Sequence, residues 1–164
     1  MREGARRAHL DDLPRLAELC RVALAQLTGS RGGALLVEQL GSAEPLEQSL
    51  ARTLEDADRS AWVGTIDDVI VGCATARTET LSGGTNLGVV ESLFVEPAAR
   101  GVGVGEALLN ALLGWFDDRG CAEVDTMALP GDRSTKNFLE STGFTARLIV
   151  MHRQCHPAAP EADP

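Results

Sequence analysis

The residues best suited to chemistry are three glycines at alternate positions, Gly101, Gly103 and Gly105. They follow an apolar run that predicts a strand over Val89–Val95, and they precede a stretch with the apolar rhythm of a helix. Pro97 ends the strand because proline has no N–H to donate. The first turn of a helix has unpaired N–H groups and the positive end of the helix dipole. The segment therefore predicts an anion site, with a phosphate as its natural ligand.

Two common phosphate-binding loops do not fit this glycine spacing. A P-loop requires Lys and then Ser or Thr after its last glycine, whereas Gly105 is followed by Glu106 and Ala107. A dinucleotide fingerprint requires the spacing G-x-G-x-x-G, which the alternate glycines do not provide. Glycines alone are also compatible with a turn that has only a structural role.

The wider sequence around the glycines is more specific. Residues 93–109 read LFVEPAARGVGVGEALL, which contains R-x-x-G-x-G after a strand that ends in V-x-P. This arrangement resembles the acyl-CoA pyrophosphate loop of the GNAT superfamily of N-acetyltransferases. Residues 136–144, KNFLESTGF, resemble a later helix of that superfamily, which commonly reads N-x-x-A-x-x-F-Y-E-x-x-G-F. Asp132 stands where Asn is common and Leu139 where Tyr is common. The resemblance covers residues 62–153 well and the earlier part in outline.

The resemblance extends the anion site to a complete acyl-CoA site. The glycine turn itself predicts that backbone N–H groups from Val102 to Glu106 hold the pyrophosphate. The resemblance implies an oxyanion-binding N–H from Val95 or Phe94, because the superfamily splays the sheet there. Arg100 is expected to bring charge near a phosphate, with a structural role in holding the loop as the alternative. The residues expected to bind acyl-CoA are Leu93, Phe94, Val95, Arg100, Gly101, Val102, Gly103, Val104, Gly105, Glu106, Asp132 and Asn137.

Acetyl transfer to an amine needs a group that removes a proton from the ammonium, and Glu91 is the first choice. In several members of the superfamily a carboxylate on this strand is the base, often through a water molecule. The alternative for Glu91 is a glutamate that only pairs with an arginine. Asp132 and Glu140 are the reserve candidates for the base.

Relatives often use a tyrosine to protonate the departing CoA thiolate. This chain contains no tyrosine, so another group must supply the proton. Leu139 has no proton to give, so a hydroxyl of Ser134 or Thr135, or a water molecule, is the expected donor. A thiol of pKa about 8.5 also leaves tolerably without help. Two functions follow from the resemblance. One is an N-acetyltransferase that passes acetyl from acetyl-CoA directly to a primary amine of a small molecule or peptide; the other is a non-catalytic acyl-CoA-binding module.

Composition indicates an acidic globular protein of one domain. The chain has 164 residues, 44% of them hydrophobic, and a formal charge of −9. This charge argues against a nucleic-acid partner and suits a cationic acceptor. Scattered cysteines, no export signal and no apolar run of about 18 residues predict a cytoplasmic protein without a membrane partner. No metal is expected, because the histidines lack carboxylates at ligand spacing. The expected partners are acetyl-CoA and an amine-bearing acceptor, and a homodimer is left open.

The order of predicted elements gives an α/β fold of the acyl-CoA N-acyltransferase (GNAT) type. We expect a mostly antiparallel sheet of about six to seven strands with a splayed parallel pair, and helices on both faces. Strands are predicted over Glu3–His9, Ser60–Ile66, Val69–Thr78, Val89–Val95, Ala122–Leu129 and Phe144–Gln154. Helices are predicted over Leu13–Leu27, Ala34–Leu40, Pro45–Leu54, Gly103–Asp118 and Ser134–Thr142.

The chain ends are expected to differ from this core. The domain is predicted over residues 1–154, followed by a disordered tail over residues 155–164. Phe144–Gln154 is short for the two closing strands that are common in the superfamily. A sheet that ends one strand early is therefore left as an alternative. The first three helices lie where the superfamily covers its acceptor cleft.

Overall fold

The structure, a computed structural model, describes residues 2–41 and 44–155. The described strands are β1 (Glu3–Arg7), β2 (Arg59–Ile66), β3 (Val69–Thr80), β4 (Asn86–Val95) and β5 (Glu123–Thr126). The described α-helices are α1 (Leu13–Thr28), α2 (Gly33–Leu40), α3 (Leu46–Glu55), α4 (Val104–Asp117) and α5 (Arg133–Ser141). Apart from Cys155, the tail predicted to be disordered lies outside the described residues.

The strands form one sheet in the order β1-β2-β3-β4-β5. The first four strands pair with their sequence neighbours and run antiparallel. The chain then passes through α4 and returns as β5, which pairs with β4 in parallel. The predicted mixed α/β sheet with one parallel pair is therefore confirmed.

The number of strands is lower than expected, because the described residues form five and not about six to seven. The predicted strand Phe144–Gln154 pairs with no other strand in the described chain, and β5 ends at Thr126 and not at Leu129. An extended segment becomes a strand only when a neighbour satisfies its backbone N–H and C=O groups. Apolar composition predicts an extended segment but does not show whether a neighbouring strand pairs with it.

Helices cover both faces of the sheet and divide the core in two. Successive side chains of a strand point to opposite faces of the sheet. Two core residues that are adjacent along a strand, such as Cys73 and Ala74, therefore belong to different halves of the core. The half beneath α1 and α3 is built around Leu16, Leu19, Leu50, Val63, Cys73 and Phe94. The half beneath α4 is built around Ala74, Ala76, Val90, Leu108, Leu112 and Phe116. None of the helices described in residues 2–41 and 44–155 is long and apolar enough to cross a membrane.

Glycines let α4 lie close against the sheet. A Cβ added to Gly88 of β4 would lie 2.6 Å from the Phe116 ring, and one on Gly64 of β2 would lie 2.7 Å from Val104 Cγ1. Real side chains do not approach this closely, so both positions require glycine for packing. Because α4 begins at the glycine loop, this contact also fixes where the predicted anion site stands relative to the sheet.

We expect Gly88→Ala to destabilise the protein by about 1–3 kcal/mol, because the new methyl group overpacks the Phe116 ring. Gly114→Ala is the matched control. Gly114 is exposed on α4, a Cβ there meets nothing within 4 Å, and alanine favours a helix over glycine. Urea denaturation of both variants measures the difference, and equal midpoints would contradict the close packing of α4.

Candidate active site

The site begins where β4 and β5 separate. Their parallel register runs from Leu87 opposite Glu123 to Val90 opposite Thr126 and then stops. β4 continues to Val95 without a partner on that side in the described chain. The two strands are therefore splayed, as the sequence resemblance implied.

The free edge of β4 presents backbone N–H groups to the opening. Glu96 donates its N–H to Val71 O at 2.9 Å, on the side of β3. Because N–H groups alternate in direction along a strand, the N–H of Phe94 also points to β3, whereas those of Leu93 and Val95 point into the opening. Of the two oxyanion candidates, the strand geometry thus favours Val95.

A β-bulge brings polar side chains of β4 onto one face. Ser92 pairs with Thr75 and Val90 pairs with Ala76, so Glu91 is an extra residue with no partner on β3. A bulge interrupts the strict alternation of side chains and is frequent beside active sites. Ser92 Oγ lies 2.8 Å from Thr75 Oγ1, and Glu91, Ser92 and Thr75 all line the cleft on the side of α1 and α3.

The glycine loop lies at the other end of this cleft. Gly101 and Gly103 have φ angles of 78° and 95°, a region that glycine adopts at little cost. The first backbone hydrogen bond of α4 runs from Ala107 N–H to Gly103 O at 2.9 Å. In the described chain the N–H groups of residues 104–106 therefore have no backbone acceptor, and they are available to an anion.

The valines of the loop point away from the cleft. Val104 is 1% exposed in the core beneath α4, and Val102 packs against the same cluster. Gly101, Gly103 and Gly105 line the cleft between them. The alternation of valine and glycine thus anchors the loop on one side and leaves its backbone open on the other. Any contact of the two valines with acyl-CoA is through the backbone.

Arg100 connects the loop to two other elements. Its Nε donates to Val95 O at 2.9 Å and an Nη donates to Gln26 Oε1 of α1 at 3.2 Å. The guanidinium also lies 5.9 Å from the centroid of the Phe94 ring. These contacts favour the alternative that Arg100 holds the loop, although it also lines the cleft.

Glu91 faces the cleft, as a catalytic base would, and it also pairs with arginines, as in the structural alternative. Its side chain is 22% exposed and lines the cleft. It also pairs with Arg59, from Nη2 to Oε1 at 3.4 Å, and with Arg77, from Nε to Oε1 at 3.3 Å. Arg77 is shared with Glu79, which stands outside the cleft lining. Glu91 is thus one carboxylate of a four-residue charge cluster at the sheet surface.

The candidates on and before α5 differ in position. Asp132 lines the cleft but caps the helix, because it accepts hydrogen bonds from the hydroxyl and the N–H of Thr135 at 2.6 and 3.0 Å. These bonds lower the pKa of Asp132, which makes it less suited to act as a base. Asn137 and Glu140 are exposed and lie outside the cleft lining, and Glu140 pairs with Lys136 at 2.8 Å.

The hydroxyl groups suggested for the leaving thiolate also separate. The Thr135 hydroxyl is engaged by Asp132, whereas Ser134 lines the cleft without such a bond in the described structure. Leu139 lines the cleft as well, at the position where the superfamily commonly has Tyr. Within residues 2–41 and 44–155, no group of His, Cys, Asp and Glu is arranged to hold a metal ion.

The complete cleft has a volume of about 1300 Å³ and contains residues that the sequence analysis missed. They are Gln26, Arg59, Thr75 and Ser92. Three of them come from α1, β2 and β3, which are distant in sequence from the glycine loop, so no local motif marks them. Ser92 is next to Glu91, but only the bulge reveals that both side chains face the cleft.

A parallel pair of strands that splays beside an open glycine loop at a helix start is the arrangement that the sequence resemblance to the GNAT superfamily implied. The model of the Acetyltransferase (GNAT) family matches residues 31–144, and the chain therefore belongs to this family. Aminoglycoside N(6')-acetyltransferase type 1 of Stenotrophomonas maltophilia is 31% identical over 123 residues, which cover 71% of this chain and 80% of that protein. The protein of the same name from Salmonella typhimurium is 28% identical over 129 residues, covering 73% and 89%.

Solved structures show the same fold. An aminoglycoside acetyltransferase from an uncultured soil metagenomic sample, in complex with sisomicin, has a TM-score of 0.70 at 22% identity, with 94% of this chain and 96% of that chain covered. AAC(6')-Iy in complex with the bisubstrate analogue CoA-S-monomethyl-acetylneamine has a TM-score of 0.68 at 21% identity, with 94% and 100% covered. The chain is thus an N-acetyltransferase, an enzyme that acylates an amine, and the predicted reaction class is confirmed over the non-catalytic alternative.

We expect Gly105→Val to weaken CoA binding by at least about tenfold. Gly105 lines the cleft between Phe138 and Val95, and its new Cβ would lie 3.6 Å from the Phe138 ring, an ordinary contact that leaves the fold intact. The added methyl groups would occupy space beside the open N–H groups. Gly103 is a poorer probe, because its Cβ would meet Glu3 and its φ of 95° disfavours other residues.

Gly114→Val provides the control, since it makes the same replacement on the exposed side of α4. Calorimetric titration with CoA measures both affinities, and circular dichroism checks the folding of both. Equal affinities in the two folded variants would show that the glycine loop does not hold the nucleotide.

Proposed function

We propose that this chain transfers the acetyl group of acetyl-CoA to a primary amine of an aminoglycoside or a similar amino sugar. The supporting observation is the single cleft that joins the open glycine loop to Glu91 along the free edge of β4. The relative from Stenotrophomonas maltophilia, which is named for aminoglycoside N(6')-acetylation, supports the class of acceptor.

The donor would lie along the opening between β4 and β5. The N–H groups of residues 102–106 would hold the pyrophosphate at the positive end of α4. The pantetheine arm would follow the free edge of β4, which would bring the thioester to Leu93 and Val95. The N–H of Val95 would then donate a hydrogen bond to the thioester oxygen as it becomes an oxyanion. Fixed donors of this kind stabilise developing charge without having to reorient.

Glu91 would remove the proton that activates the acceptor. The carboxylate takes a proton from the bound ammonium, directly or through a water molecule, and frees the nitrogen lone pair. The amine attacks the thioester carbon, and its nitrogen, positively charged in the tetrahedral intermediate, loses a second proton to solvent. The C–S bond then breaks and the neutral amide forms. The CoA thiolate leaves with a proton from solvent or from the Ser134 hydroxyl, since the chain has no tyrosine. Positioning of the two substrates in one cleft supplies much of the rate.

The charges near the acceptor end suit an acceptor with several ammonium groups. Glu44 pairs with Arg52 at 2.8 Å, and Glu91 pairs with Arg59, and all four residues line the cleft. A polyammonium sugar can replace an arginine as the partner of a carboxylate that is already in place. The formal charge of −9 also favours the approach of a cation.

A panel of amines tests the acceptor class. We expect sisomicin and neamine to be acetylated with kcat/KM values at least about 100-fold above those for glucosamine or for a peptide with an N-terminal alanine. Single-amine acceptors lack the extra ammonium groups that would bind the cleft carboxylates. Release of CoA and the mass of the product measure turnover. Faster acetylation of the peptide would overturn the aminoglycoside assignment while leaving the N-acetyltransferase class intact.

Glu91→Gln tests the base, and we expect kcat to fall about 100-fold with CoA affinity unchanged. Glu79→Gln is the matched control. Glu79 also pairs with Arg77 but lies outside the cleft lining, so this replacement removes a negative charge from the same cluster without changing the cleft. If Glu91 only stabilises the charge cluster, both variants lower the melting temperature to a similar extent and keep their turnover. An undiminished kcat in folded Glu91→Gln would exclude Glu91 as the base.

A further inference from the structure

Two cysteines that are distant in sequence meet in the core beneath α1 and α3. Cys20 of α1 and Cys73 of β3 are 53 positions apart along the chain, and their Sγ atoms lie 4.0 Å apart. Both are buried and both are free thiols. The contact is short enough for an S–H···S hydrogen bond. The acetyl transfer proposed above uses neither thiol.

The two thiols differ in their access to solvent. Cys20 lines the cleft and is 8% exposed, whereas Cys73 is 1% exposed and lies outside the cleft lining. A small reagent that enters the cleft therefore reaches Cys20 first. Cys73 lies behind it and has Cys20 as its route to that reagent.

The contact also makes the two thiols chemically unequal. The hydrogen bond with Cys73 lowers the pKa of Cys20 against the effect of burial, and the positive charge of Arg21 acts in the same direction. The same hydrogen bond, together with burial, raises the pKa of Cys73. Because the thiolate is the form that attacks an oxidant, Cys20 is the reactive member of the pair and Cys73 is its proton donor.

Arg15 holds the helix and the strand that carry the pair at a fixed distance. Its Nε and Nη2 donate to Ile70 O of β3 at 3.2 and 3.1 Å, and Nη2 also pairs with Glu96 at 2.9 Å. The sulfur atoms are therefore close before any reaction. A disulfide has an S–S length of about 2.05 Å, so the two sulfurs must approach by about 2 Å to form one.

We propose that Cys20 and Cys73 form an oxidation site at which a peroxide closes a reversible disulfide between α1 and β3. The Cys20 thiolate attacks the hydroxyl oxygen of the peroxide, the O–O bond breaks, and the departing oxygen takes a proton from solvent. This step leaves a sulfenic acid on Cys20 and releases water or an alcohol.

The second step joins the two sulfur atoms. The Cys73 sulfur attacks the Cys20 sulfur, the S–O bond breaks, and the hydroxyl group leaves as water with the Cys73 thiol proton. The two thiols thus lose the two electrons that the peroxide gains. A dithiol returns these electrons by exchange and restores both thiols. This inference does not depend on the acceptor or on the catalytic base.

Peptide mass spectrometry tests the site in a protein that carries Cys121→Ser and Cys155→Ser, in which Cys20 and Cys73 are the only cysteines left. We expect hydrogen peroxide to join the peptides that contain Cys20 and Cys73, with the loss of two hydrogen atoms, and dithiothreitol to separate them. Peptides that keep both thiols free, or a Cys20 that carries oxygen without becoming linked, would overturn the proposal.

Thermal unfolding of the same protein tests whether the bond forms in the native fold. A disulfide that closes a long loop restricts the unfolded chain, so oxidation should raise the melting temperature by about 5–10 °C. Dithiothreitol should reverse this shift. A melting temperature that does not rise would show that the bond forms only in a distorted chain, and this result would also overturn the proposal.

Single variants in that background test the order of reaction. Cys73→Ala should keep its sulfenic acid on Cys20, where dimedone traps it, because the second thiol is missing. Cys20→Ala is the matched control and should leave Cys73 unlabelled, since Cys73 is 1% exposed. Circular dichroism checks that both variants fold, and the experiments on the two-cysteine protein need neither of them. Labelling of Cys73 at or above the level of Cys20 would exclude the cleft as the route of the oxidant.

Discussion

The early end of pairing between β4 and β5 is the constraint on which the site depends. A continued ladder would join the N–H groups of Leu93 and Val95 to β5 and leave no channel. The ladder stops at Val90 and Thr126, so those groups need another acceptor. A bound thioester can provide it. The helix that connects the two strands, α4, packs tightly on Gly64 of β2 and Gly88 of β4.

The same helix joins the sheet to the glycine-loop end of the cleft. Val104 belongs both to the first turn of α4 and to the core beneath it, so the loop cannot shift without disturbing that core. Arg100 adds a second constraint from the other face, because it connects the loop to Val95 O and to α1 through Gln26. An anion site built from backbone N–H groups depends on such rigidity, since its donors must keep one orientation.

The end of the cleft around Glu91 is constructed differently, from side chains that pair with one another. Glu91, Arg59 and Arg77 meet because three adjacent strands bring them to one surface and a bulge turns Glu91 toward them. The Ser92 and Thr75 hydroxyls lie beside this cluster and add polar groups to the same wall. Partners that are already in place hold a carboxylate in position before the substrate arrives. In the proposed reaction, an ammonium group of the acceptor would compete with these arginines for the carboxylate.

The sequence by itself determined the elements whose signals are local. The glycine loop, the helix after it and the strand before it follow from adjacent residues, because turn chemistry and helix periodicity act over a few positions. The tertiary structure alone decided the rest. The bulge at Glu91, the arginines around it, the cap made by Asp132 and the surface position of Asn137 depend on strand register and helix orientation. The fate of Phe144–Gln154 was decided in the same way, because a strand exists only where a neighbouring edge accepts its hydrogen bonds.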